Sequence, residues 1–205
     1  MKRCVIFAAM PVDETLSAYY ADADIILAAD AGYLSVQKLG LTPTLLLGDY
    51  DSAPVPQSDV PVLQLPAEKD DTDTYFAAKK AVEFGAEEVT ILGGLGGRLD
   101  HTLANLQTIL FLQEQGISAV LADEHTEIRV LLSGEHVLSA HENSYVSLIP
   151  VGTSATGITL VHFKYPLTDA TLTNTWPVGV SNEFAGETAT VRIKTGGLYC
   201  IICAK

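Results

Sequence analysis

The chain has 205 residues, 48% of them hydrophobic and 18% charged, with a formal net charge of −13. That length suffices for one large or two small domains, each with a real core. The acidic balance speaks against nucleic acid, which needs concentrated Lys and Arg to displace its counterions. It suits divalent metals or a cationic small molecule, although solubility charge alone explains most of the excess. No apolar run approaches the roughly 20 residues that cross a bilayer. The opening Met-Lys-Arg-Cys-Val-Ile-Phe-Ala-Ala leads into Met10-Pro11 without a cleavable-signal pattern. A cytoplasmic enzyme or binding protein with no membrane partner is expected.

In chain order, strand-like and helix-like segments alternate. Strands are expected over residues 5–8, 25–29, 45–47, 62–65, 89–92 and 118–122. Helices are expected over residues 13–20, 33–39, 71–84 and 102–115, the second closed by Gly40 and the third by Gly85. In the fourth, Leu103, Leu106 and Leu110 supply the apolar period. Continuous apolar strands between helices predict an α/β fold with a mostly parallel, Rossmann-like, doubly wound sheet.

After about Asp123 the helical periods vanish. Short β-rich runs over 128–132, 136–139, 144–149, 157–161, 170–173, 187–194 and 198–203 take over. Ser133-Gly134, Glu142-Asn143 and Gly196-Gly197 read as the turns between them. An antiparallel β-sandwich of about seven strands is expected, giving two domains, 1–124 and 125–205. Cys200 and Cys203 form a C-x-x-C, but in an apolar strand and without a second pair they read as core thiols rather than a zinc site.

The most unusual stretch is Gly93-Gly94-Leu95-Gly96-Gly97-Arg98-Leu99-Asp100-His101, between a strand and a helix. Such a loop offers backbone N–H groups and a helix N-terminus to an anion. It fits neither a Walker loop nor a dinucleotide fingerprint, and a purely structural loop is an equal reading of its glycines.

Acids follow several strands. Strand two runs into Asp30-Ala31-Gly32, strand three into Gly48-Asp49-Tyr50-Asp51-Ser52, and strand four is followed by Lys69-Asp70-Asp71-Thr72-Asp73. In an open parallel sheet all these loops share one rim. Clustered carboxylates call for a hard divalent cation with oxygen ligands. Asp49, Asp51 and Asp73 are the candidate ligands, and Lys69 and Arg98 can meet phosphate oxygens. Metal, cations and a glycine loop together suggest phosphoryl or nucleotidyl transfer from a magnesium nucleotide. Plainer readings stand beside this: Asp70, Asp71 or Asp100 as helix caps, Asp49 and Asp51 as turn formers, and His101 as a surface histidine.

Taken together, Asp30-Ala31-Gly32, Gly48-Asp49-Tyr50-Asp51-Ser52, Lys69-Asp70-Asp71-Thr72-Asp73, Gly96-Gly97-Arg98-Leu99-Asp100-His101 with Asn105, and Gly179-Val180-Ser181-Asn182-Glu183-Phe184 resemble the thiamine pyrophosphokinase family over nearly the whole chain. The resemblance implies pyrophosphoryl transfer from ATP to thiamine with Mg²⁺, giving thiamine diphosphate and AMP. It also implies a homodimer with active sites at the subunit interface. On this likeness Asp49, Asp51 and Asp73 are metal ligands, and Asp30, Lys69, Asp70 and Thr72 line the nucleotide side. Arg98, Asp100 and His101 lie near the reacting groups; Ser181, Asn182 and Tyr165 lie near thiamine. Asp100 is the best candidate to orient the hydroxyl or accept its proton. A magnesium-dependent kinase of another small alcohol would keep the same acidic loops. A non-catalytic nucleotide or thiamine sensor would have no need of three metal-ligating carboxylates.

Overall fold

A computed structural model describes residues 1–50, 59–66, 68 and 70–205. By its internal contacts the chain divides into two compact units, Met1–Glu124 and His125–Lys205.

The first unit is α/β. Its strands are β1 (Arg3–Phe7), β2 (Ile25–Ala29), β3 (Leu45–Gly48), β4 (Val62–Gln64), β5 (Glu88–Leu92) and β6 (Ser118–Ala122). They lie in the order β6-β5-β1-β2-β3-β4, and each neighbouring pair is parallel. Every residue of β2, Ile-Ile-Leu-Ala-Ala, is buried, as a strand covered on both faces requires. Side chains alternate across the sheet. Val5, Phe7, Ile26, Ala28 and Leu46 pack with Leu16, Tyr20 and Val36. Ile6, Leu27, Leu47, Ile91 and Leu121 point the opposite way, each with 0% of its surface exposed. Burying such a side chain is worth about 1.5–3 kcal/mol, so both faces contribute to the core.

Strand succession changes direction at β1, with β2 on one side and β5 on the other. The loops leaving β1 and β5 therefore run together: the Ala8 N–H donates to the Leu92 carbonyl at 2.8 Å and that of Met10 to the Gly93 carbonyl at 2.9 Å.

Helices α2 (Gly32–Lys38), α3 (Asp73–Glu83) and α4 (Leu99–Glu114) form near their expected positions. Two expectations need correction. The segment 13–20 is a 3-10 turn, Glu14–Leu16, followed by the short α1, Ser17–Tyr20. The Asp13 carboxylate accepts the Thr15 N–H at 2.9 Å and tightens that start. In α4 the buried stripe is Asn105, Thr108, Ile109 and Leu112, whereas Leu103 stays 54% exposed. Two of the buried positions are polar but satisfied: Asn105 Nδ2 donates to the Gly94 carbonyl at 2.8 Å and Thr108 Oγ1 to the Ala104 carbonyl at 2.9 Å.

The second unit is antiparallel β. It contains β7 (Thr126–Ser139), β8 (Ser144–Pro150), β9 (Ser154–Val161), β10 (Leu167–Thr173) and β11 (Thr188–Ala204). The expected seven runs collapse into these five strands because Ser133-Gly134 and Gly196-Gly197 bend the chain without ending it. Ile193 pairs with Gly134 and Gly197 with Leu132, and between them the register shifts, with Gly196 at φ +90. A bulge of this kind redirects a strand while keeping its pairing. Beyond it β11 changes neighbours: Thr190, Val191 and Arg192 pair with β9, and residues 198–204 pair with β8. The core so enclosed includes Val146, Leu148, Ile158, Leu172, Val191 and Leu198.

Candidate active site

In the first unit, the ends of β2 and β3 are pressed together. Asp30 follows β2 in the left-handed region at φ 49, and its N–H donates to the Leu47 carbonyl at 2.8 Å. A β-carbon on Gly48 would stand 3.1 Å from Asp30 Cα, so glycine at residue 48 lets β3 close on Asp30 without crowding. Tyr50, also left-handed at φ 53, folds its ring back to the same place, with Cζ 3.5 Å from that β-carbon position. Its ring meets Tyr33 edge-on at 6.3 Å. Non-glycine residues with positive φ are costly, and two on adjacent loops mark a place where the chain is held for a reason.

Tyr50 is only 6% exposed, and among the described residues its hydroxyl has no hydrogen-bond partner. Burial first, then the carboxylates of Asp30 and Asp73, push its phenol up to about 12. Both acids thus act electrostatically on the ring. Asp73 is the first residue of α3, which packs over β1, β2 and β3. Thr72 is the N-cap, its Oγ1 accepting the Tyr75 N–H at 3.1 Å, so neither Asp70 nor Asp71 caps the helix. Asp49 adjoins Tyr50 in the chain. The expected metal ligand Asp51 and the expected phosphate contact Lys69 lie outside the described residues. Among the described residues no three acid, His or Cys side chains form a complete metal site. The chemistry of the donors is nonetheless that of a hard cation, since Asp30, Asp49 and Asp73 offer carboxylate oxygen alone.

Asp70, Asp71 and Thr72 line a cleft of about 410 Å³ together with Tyr75, Gln107 and Phe111. Tyr75 and Phe111 pack at 4.9 Å, and the Lys79 ammonium pairs with Asp71.

The glycine stretch serves its own chain first. A β-carbon on Gly93 would stand 2.3 Å from the Met10 carbonyl oxygen, and one on Gly94 would stand 2.7 Å from Leu121 Cδ1. The glycines thus let loops 8–10 and 93–97 lie against each other. Of the four, Gly96 has open space around it. Beyond them Arg98 grips Asp100 with two parallel bonds, Nε to Oδ1 at 3.1 Å and Nη2 to Oδ2 at 2.5 Å. The hydrogen bond from Arg98 holds the Asp100 carboxyl below the ordinary carboxylate range. The pair is exposed, at 73% and 63% of its side-chain surfaces. Asp100 lies within the first turn and Arg98 takes the N-cap position without a side-chain bond. His101, also exposed, donates its N–H to Asp100 Oδ1 at 3.0 Å.

In the second unit Tyr165, Ser181 and Asn182 come together. Asn182 is buried, and its side-chain amide bridges two loops: Oδ1 accepts the N–H groups of Tyr165 at 3.0 Å and Glu183 at 2.9 Å, and Nδ2 donates to the Tyr165 carbonyl at 2.8 Å. Its backbone exchanges hydrogen bonds with Val146. Ser181, at φ 61, donates its N–H to Ser147 Oγ at 3.1 Å. The Tyr165 ring is presented outward, 58% exposed. Glu183 takes hydrogen bonds from Lys164 and Lys205, both at 2.6 Å.

Sequence reasoning passed over Tyr50 and Met10. The only trace of the first was a large aromatic between two aspartates. Met10 carried no signal, since its Sδ shows its part only by lying 2.9 Å from where a Gly97 side chain would begin.

Comparison with known proteins follows both units. The family description "Thiamin pyrophosphokinase, catalytic domain" matches residues 16–121, and "Thiamin pyrophosphokinase, vitamin B1 binding domain" matches residues 135–198. The thiamine pyrophosphokinase of Bacillus subtilis (strain 168) is 30% identical over 193 residues, covering 91% of this chain and 90% of the relative. The crystal structure of a thiamine pyrophosphokinase from Bacillus subtilis superimposes with a TM-score of 0.90 at 27% identity, covering 100% of both chains. That from Geobacillus thermodenitrificans gives 0.87 at 28%, covering 100% of this chain and 98% of the other. With both halves matched and a relative aligned almost end to end, the chain belongs to the thiamin pyrophosphokinase family.

Proposed function

We propose how this chain divides its family's reaction between its two units. As a member of that family it is a thiamine diphosphokinase, transferring the pyrophosphoryl group of ATP to the hydroxyl of thiamine and releasing AMP. In our reading residues 1–124 form a Rossmann-like, doubly wound domain for ATP and Mg²⁺, and residues 125–205 a β-sandwich domain for thiamine and dimerisation. The observation that carries the first half is the packing of the buried Tyr50 against Gly48 and Asp30 at the ends of β2 and β3, where the carboxylates of Asp30 and Asp73 act on its phenol.

Asp49, Asp51 and Asp73 would hold Mg²⁺, whose charge would offset that of the departing AMP. Asp30, Lys69, Asp70 and Thr72 would line the nucleotide, the last two from the cleft wall. The hydroxyl oxygen of thiamine forms a bond to the β-phosphorus. The bond from that phosphorus to the bridging oxygen breaks, AMP leaves with the oxygen, and the hydroxyl proton passes to solvent. Arg98 would exchange one of its bonds to Asp100 for a phosphate oxygen, as a guanidinium fork is suited to do. Asp100, a weakened base beside Arg98, would orient the hydroxyl more than take its proton, with His101 alongside. Ser181, with Tyr165 held by Asn182, would meet thiamine, whose fixed cation suits an acidic protein.

The exposed Leu99 and Leu103 in one unit and Trp176 and Val178 in the other are apolar surface of the kind an interface covers, which supports a homodimer. No described helix is long and apolar enough to cross a membrane; we read the chain as cytoplasmic. The test is a phosphate-NMR assay with ATP, Mg²⁺ and thiamine, the product identified by mass, alongside sedimentation for the dimer. AMP with thiamine diphosphate is expected; ADP release, the mark of a kinase for a single phosphate, would overturn the reading.

A further inference from the structure

We propose that Tyr50 is a nucleotide-contacting residue whose buried hydroxyl donates a hydrogen bond to an oxygen of the ATP polyphosphate. The proposal rests on the reading of the first unit as the Mg·ATP domain, and adds a contact that none of the expected site residues supplies.

A buried hydroxyl left without a hydrogen bond is unfavourable, and such groups in native proteins are rare enough to need a reason. Tyr50 is 6% exposed and its hydroxyl has no partner among the described residues. Phenylalanine would fill the same space against Gly48 and Tyr33 without that penalty. The chain also accepts a left-handed backbone at Tyr50 to bring the ring there. Local stability therefore does not explain the hydroxyl, whereas a ligand does.

The surroundings select the ligand. The ring closes over Gly48 beside Asp30, and the carboxylates of Asp30 and Asp73 act on its phenol. A cation drawn to those oxygens brings its own anion, and for a magnesium nucleotide that anion is the polyphosphate. A phenol, being a donor on a rigid ring, can supply a hydrogen bond to a phosphate oxygen at little cost in side-chain entropy. Positive side chains would attract the phosphates too, but they would also compete for the carboxylates. A neutral donor does not.

The experiment compares the full-length wild type and Tyr50→Phe by calorimetric titration with Mg·ATP and with AMP, in the absence of thiamine, and by thermal melting with and without nucleotide. Tyr50→Phe should bind Mg·ATP about tenfold more weakly, the scale of a hydrogen bond to a charged acceptor. Its affinity for AMP should be unchanged. Without nucleotide it should melt at or above the wild-type temperature, because the unpartnered hydroxyl is gone. Equal Mg·ATP affinity in the two chains would overturn the inference and leave the proposed reaction standing. A Tyr50→Phe chain that melts lower, fails to fold, or loses AMP and ATP affinity alike would mark a structural hydroxyl and overturn it as well. A wild-type chain that binds no Mg·ATP would overturn both readings.

Discussion

Two buried polar groups, Asn182 in the second unit and Tyr50 in the first, are treated in opposite ways. Around Asn182 the chain satisfies itself: one side-chain amide joins the Tyr165 and Glu183 backbones through three hydrogen bonds. Around Tyr50 it does not, since a buried hydroxyl acted on by carboxylates has no partner in the described residues. A saturated group stabilises the native chain before any ligand arrives, and an unsaturated one waits for its energy until the ligand binds. These two residues of nearly equal burial should therefore fail differently when changed, Asn182 in stability and Tyr50 in nucleotide binding.

The sharpest break of that contrast is Asp73→Asn. The change keeps size and removes charge, so if Asp73 holds the proposed Mg²⁺, turnover followed by AMP release should fall by about 10³-fold or more. Stability should barely move. An acid in the first turn of α3 is worth about 0.3–1 kcal/mol with the helix dipole. Turnover within a few fold of wild type would remove Asp73 from the metal site.

Asn182→Ala should do the reverse. It strips the bonds that hold Tyr165, destabilising the chain by about 2 kcal/mol and lowering its melting temperature by about 4–8 °C. KM for thiamine should rise as Tyr165 is freed, with Mg·ATP affinity untouched. If stability held while thiamine affinity collapsed, Asn182 would be a direct ligand contact and the contrast between the units would fail.

The sequence carried the α/β unit well for a physical reason. Strands buried on both faces must be continuous apolar runs, and Ile25–Ala29 is readable as such without any structure. Where burial and apolarity part company, pattern misleads. The core stripe of α4 contains Asn105 and Thr108, satisfied by carbonyls that only folding brings near, so Leu103 was assigned to the wrong side. In the second unit Gly134 and Gly196 carry the chemistry of a turn and of a bulge alike, and nothing local tells one from the other. That Asp30 and Asp49 follow strands was legible in the sequence. Tyr50 was not, because the want of a partner is a property of three-dimensional packing.

The smallest effect belongs to Asp100, which stands between the two cases: satisfied by Arg98, yet exposed at the rim. Its pairing keeps the carboxyl below its ordinary value of 3.8. A group depressed in this way stabilises the fold above its unfolded pKa, and the contribution is lost as pH falls through the lower folded value. Because the pair is open to solvent, its share of stability is slight. Asp100→Asn should therefore leave the melting temperature near wild type and reduce kcat/KM by about tenfold, the loss of one orienting contact. It should also abolish the acid limb of the pH–rate profile, which in the wild type sets in only below the usual carboxylate range. Normal turnover with an unchanged profile would confine the Arg98–Asp100 pair to shaping its loop, and the rim around Tyr50 would carry the chemistry without it.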